Sequence, residues 1–112
     1  MSFKDRKATR LESDQFISYR VYDAQNRICD EGMAKTKDIS RSGVAVENRR
    51  PFEVGARVEL TIALREELIK TDAIVRNVNI IDEQTFSIGL EFIDISEEEL
   101  EKLGKEFPNL MA

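Results

Sequence analysis

The chain has 112 residues, 41% hydrophobic and 35% charged, with a formal net charge of −5, no histidine and one cysteine. That length suits one domain around a single core, and the composition is globular, without the bias of a disordered chain. The acidic balance speaks against DNA or RNA as a partner, and the missing histidine removes the commonest general base and metal ligand.

Charge is unevenly spread along the sequence. The stretch KDRKATR (Lys4–Arg10) carries four cations and one anion, a basic start large enough for one or two phosphates. QFISYRVYD follows, with Ile17, Tyr19 and Val21 alternating against Ser18 and Arg20, which predicts a strand with one buried face. AQNR reads as a turn, with Asn26 suited to a left-handed conformation. MAKTKDIS predicts a second strand, wet on its lysine-bearing face. GVAVEN places Val44 and Val46 on one side and Ala45 and Glu47 on the other. RRPFEVGAR is a connection, broken by Pro51 and turned at Gly55.

RVELTIAL has the cleanest alternation, with Val58, Leu60, Ile62 and Leu64 inward. IKTDAIVRNVNII predicts a long strand with Ala73 and Val75 facing the core. After the DEQT turn, FSIGLEF returns with Phe86, Ile88, Leu90 and Phe92 inward. Six strands at such short spacing predict antiparallel pairing in a barrel or sandwich. Ser96 followed by Glu99 is a capping-box pattern opening a helix, SEEELEKLGKEF, whose Leu100, Leu103 and Phe107 form one apolar stripe. That stripe can pack on the barrel or join two chains, so the expected state is monomer or homodimer. No apolar run approaches the ~18 residues of a membrane span and no secretory signal is visible, so no membrane partner is expected. The lone Cys29 leaves no internal disulfide, which suits a reducing cytosol, and a cytoplasmic location is expected.

Two motifs carry chemistry. Arg6 and Arg10 have the spacing R-x-x-x-R, and arginine forks match phosphate oxygens and the O6/N7 edge of guanine. DISRSG fits [D/N]-x-S-x-x-G at Asp38, Ser40 and Gly43. On a continuing strand Asp38 and Ser40 would share the outer face. A carboxylate accepts from guanine N1–H and N2–H2, and a serine hydroxyl donates to a phosphate or guanine acceptor. Gly43 permits a positive φ and close approach of a ligand to the backbone. Ser42 either adds a donor or holds the turn.

With these motifs the chain resembles the PilZ domain family, the bacterial receptor module for cyclic di-GMP. The resemblance runs from about Asp5 to Phe107, through FEVGARVELTIAL, AIVRNV and SIGLEF in the family's strand order, to SEEELEKL in place of its C-terminal helix. It implies a mainly β fold: a six-stranded antiparallel, split β-barrel over 15–93, a C-terminal α-helix over 96–107 and a flexible N-terminal arm over 1–12. It also implies that cyclic di-GMP is clamped between Arg6 and Arg10 on the arm and Asp38, Ser40 and Gly43 on the barrel, with no further cofactor. Lys7 stands where a second arginine is common, and Ser42 where many members have a second glycine. These two and Arg76, an arginine on a suitable strand, are weaker ligand-binding candidates.

The expected role is that of an adaptor acting on a downstream protein partner. The alternative is a PilZ-like interaction module that does not bind nucleotide. A single-stranded nucleic-acid barrel would need exposed aromatics between basic strands, and the phenylalanines fall instead on core faces or in the helix. The carboxylates show no spacing that belongs to a reaction, and no phosphate loop or metal cluster is present, so no enzyme is expected.

Overall fold

The structure, a computed structural model, describes residues 11–12, 16–64 and 67–106. The alternating segments form strands: β1 (Leu11–Glu12), β2 (Phe16–Tyr22), β3 (Ile28–Ile39), β4 (Gly43–Asn48), β5 (Arg57–Ala63), β6 (Leu68–Asp82) and β7 (Thr85–Ile93), followed by one helix, α1 (Glu97–Glu106). All pairings are antiparallel. The order β3-β2-β5-β6-β7-β4 is closed by a further β3–β4 pairing, so six strands make a barrel. Closure removes the unpaired edges an open sheet would present. The two-residue β1 lies outside the six and runs along the end of β3, with Leu11 opposite Ile39 and Glu12 opposite Asp38.

The inward positions match the period-2 reading. Ile17, Tyr19 and Val21 from β2, Val58, Leu60 and Ile62 from β5, and Ala73 and Val75 from β6 share one buried cluster with Val44, Val46, Ile88 and Leu90. Phe86 and Phe92 are only partly buried and pack on the cluster's margin, as does Leu64, which lies just past the end of β5. β3 begins at Ile28, five residues before the predicted start, because Ile28–Gly32 pairs along β2 from Tyr22 to Tyr19. Most of that segment is exposed on both faces, so no alternation betrays it.

Asn26 has φ 63°, the left-handed conformation expected of that turn, and Gly55 turns the later connection with φ 94°. The helix begins where the capping pattern predicts: Ser96 Oγ accepts the Glu99 N–H at 3.0 Å. Glu99 does not complete the box. Its carboxylate accepts the Lys70 N–H of β6 at 2.9 Å and meets Lys102 Nζ at 3.1 Å. Leu103 is fully buried and Leu100 packs beside it, so the described part of the helical stripe is spent on the chain's own barrel. Phe107 lies outside the described residues.

Candidate functional site

The segment after β3 is a tight turn stitched by its own hydroxyls. Ser40 N–H donates to the Gly43 carbonyl at 2.9 Å, and Ser42 N–H donates to Ser40 Oγ at 3.2 Å. The two hydroxyls lie 3.0 Å apart, and Ser40 Oγ also reaches the Gly43 carbonyl at 3.4 Å, a long and therefore weak bond. Side-chain-to-backbone bonds of this kind are why serine is favoured in turns. The Ser42 carbonyl accepts the Phe92 N–H at 2.9 Å, which ties the turn to β7.

One expectation needs correcting here, and two others become specific. β3 ends at Ile39, so strand alternation does not extend to Ser40; that residue is 1% exposed and points into the turn, while Asp38 is half-buried. Gly43 has no positive φ; it opens β4 as an ordinary extended residue, and Gly55 is the described glycine in the left-handed region. Ser42 holds the turn, by the bonds just given.

Strand register places small residues beside Asp38. Val44 and Val46 point into the core, so Gly43 and Ala45 belong to the outer side of β4. Across the sheet Asp38 pairs with Ala45, Ala45 with Gly89 and Gly89 with Asn77, so one outward row crosses four strands. At ~4.8 Å per strand this row is about 14 Å long before barrel curvature shortens it. The neighbouring row holds Gly43 opposite Glu91. The floor of this lane is Gly43, Ala45 and Gly89, all with low exposure, walled by Asp38 at one end and Asn77 at the other.

A register shift between Val75 and Asn77 makes Arg76 the extra residue of a bulge. Arg76 is exposed, and its Nε donates to the Glu91 carboxylate. Asn77 is thereby turned outward with it. Its side chain lies across Gly89: a Cβ on that glycine would stand 2.7 Å from Asn77 Oδ1. That Oδ1 is buried with no hydrogen-bond partner among the described residues, a condition that costs about 1–3 kcal/mol. Asn77, Gly89 and Glu91 are absent from the motif reading. A glycine inside a strand was the available signal for Gly89. Strict alternation points Asn77 inward, beside Val75, so it had none.

Arg6, Lys7 and Arg10 lie outside the described residues. Arg10 directly precedes Leu11, whose backbone partner is Ile39, and Glu12 is the partner of Asp38. The chain that follows R-x-x-x-R therefore runs beside the strand end that carries D-x-S-x-x-G. A separate hollow of about 990 Å³, lined among others by Tyr22, Cys29, Arg50, Phe52 and Arg57, contains none of the described motif residues. There the Arg57 guanidinium stacks 3.9 Å over the Tyr22 ring and donates to Asn26 at 2.6 Å, a use of arginine that holds the hairpin. Among the described residues there is no cluster able to hold a metal ion, and no helix is long and apolar enough to cross a membrane.

The fold has known counterparts. The chain is similar to MrkH of K. pneumonia in its apo state (22% identity, TM-score 0.69), with 92% of this chain and 50% of that chain covered. It is also similar to the MrkH–c-di-GMP complex (20% identity, TM-score 0.71, 96% and 53% covered). The PilZ domain of YcgR from Escherichia coli, solved with c-di-GMP, superposes with TM-score 0.71 at 15% identity, covering 96% of this chain and 92% of that one. At such identities these likenesses establish the fold, and the chain spans half the length of the apo MrkH chain. No curated protein matches the sequence. The model of the PilZ domain matches residues 4–106, a span that includes both motifs, the closed barrel and the helix, and the chain belongs to the PilZ domain family.

Proposed function

We propose that this chain is a bacterial, cytoplasmic receptor for cyclic di-GMP that binds the nucleotide between its N-terminal arm and the outer barrel face, without turnover. The observation that carries the reading is the β1–β3 pairing, Leu11 with Ile39 and Glu12 with Asp38, which brings the chain after Arg10 to the strand end bearing Asp38. Arg6 and Arg10 would supply forks for phosphate and guanine, and Lys7 a point charge. Asp38 would accept from the N1–H and N2–H2 of a guanine. Ser40 and Ser42 hold the turn, and the weak Ser40–Gly43 bond leaves that hydroxyl able to donate to a phosphate instead. Gly43, without a side chain, lets the ligand approach the backbone.

PilZ family membership and the c-di-GMP present with YcgR and MrkH support the choice of ligand. In such a receptor the arm closes over an anionic dinucleotide and offers a changed surface to a downstream protein. The net charge of −5 supports a protein as that partner over DNA or RNA. Proposed domain limits are 1–12 for the arm, 15–93 for the barrel and 96–107 for the helix.

Titration calorimetry of the protein with cyclic di-GMP, with GTP as control, tests the reading. Arg6→Ala and Arg10→Ala are each expected to weaken binding by about 1–3 kcal/mol, the range for one lost bidentate guanine contact. Wild-type affinity in both variants would remove the arm as a clamp. No heat with the unaltered protein would leave a PilZ barrel that acts only as a protein-interaction module.

A further inference from the structure

We infer that Asn77 is a base-reading residue, set at the opposite end of the lane from Asp38. This rests on the cyclic di-GMP reading and adds a contact that neither motif contains. Regular alternation from Ala73 and Val75 would bury Asn77 in the barrel; the bulge at Arg76 instead delivers it to the outer face. There the amide lies on Gly89, where even a Cβ would come within 2.7 Å of Oδ1 and 2.8 Å of Nδ2. Its Oδ1 is an acceptor, buried, with no donor among the described residues. Guanine carries two adjacent donors, N1–H and N2–H2, on one edge, which is the complement such an acceptor lacks. Adenine has no N1–H and offers only its amino group.

The placement suits a ligand with two bases. Asp38, Ala45, Gly89 and Asn77 stand on four successive strands, so an acceptor occupies each end of the row and residues of minimal bulk lie between. The neighbouring Arg76 is already engaged by Glu91, which leaves Asn77 as the uncharged polar group at this end. To meet a base the amide must turn away from the glycine, a rotation for which asparagine has a broad torsional well.

The test compares the full chain with Asn77→Ala and Asn77→Asp, titrated with cyclic di-GMP and with cyclic di-AMP, with a thermal melt of each. Asn77→Ala is expected to weaken cyclic di-GMP about three- to tenfold, the loss of one hydrogen bond, and to leave cyclic di-AMP unchanged. Its melting temperature should equal or exceed that of the parent, because the orphaned acceptor is removed with the side chain. Asn77→Asp keeps the acceptor and should recover most of the cyclic di-GMP affinity. Cyclic di-GMP binding unchanged in Asn77→Ala would overturn the assignment while leaving the receptor reading intact. A lowered melting temperature with no rescue by Asn77→Asp would also overturn it, because the residue would then only fill the bulge. Failure of the unaltered chain to bind cyclic di-GMP would take down both.

Discussion

Asn77 and Gly89 form one unit, although they lie on different strands and nothing in their sequence contexts links them. The amide of Asn77 occupies the space a Cβ on residue 89 would need. Gly89→Ala is expected to destabilise the protein by about 1 kcal/mol, a small overpacking cost because the displaced group is the end of a side chain. In an Asn77→Ala background the same change should cost nothing. Urea denaturation of the two single variants and the double variant measures this; equal cost in both backgrounds would show that the glycine is needed for another reason. Ser40 is an opposite case. Its presence in the motif was plain from the sequence, but its burial and its bonds inside the turn became visible only once β3 was seen to end at Ile39.

At the scale of elements, local chemistry accounts for both the β2–β3 hairpin and α1. Asp23 Oδ1 accepts the N–H groups of Gln25 and Arg27, each at 2.9 Å, and its other oxygen lies 3.5 Å from Arg27 Nε. The Arg27 N–H, chiefly, holds the carboxyl below its ordinary value of 3.8; desolvation opposes it, and the Gln25 N–H and the Arg27 charge add to the lowering. A depressed folded-state pKa stabilises the turn above pH 3.8, and that contribution is lost as pH falls from there through the lower folded value. Amide-exchange protection of Gln25 and Arg27, taken relative to intrinsic rates, should therefore fall over that acid window, and Asp23→Asn should abolish that fall. The helix start was equally legible from Ser96. The destination of Glu99 was not: Lys70 lies 29 residues away in sequence, and its unpaired backbone N–H exists only where β6 passes the helix.

At the scale of the molecule, closing six strands by the β3–β4 pairing puts Asp38, Ala45, Gly89 and Asn77 on one outer row of the barrel. β1 runs beside the end of β3, with Leu11 and Glu12 paired to Ile39 and Asp38. Under the proposed function, saturating cyclic di-GMP should increase amide-exchange protection of residues around 3–12. An arm that exchanges equally with and without ligand would sink the switching role while leaving binding itself intact. The helix adds stability to this body and supplies no free apolar stripe among the described residues, since Leu100 and Leu103 face the barrel.

Alternation, turn residues and a capping serine were enough, by themselves, to determine an antiparallel β fold with a terminal helix and most of its core. Those features arise from local periodicity and from residue types whose conformational preferences need no distant partner. Tertiary structure alone decided the rest: the early start of β3, the bulge that turns Asn77 outward, the small-residue lane through Ala45 and Gly89, and the capture of Glu99 by β6. Each depends on which residue lies opposite on another strand. A shift of one residue reverses the face a side chain occupies, and register across a closed barrel is set by all its strands together.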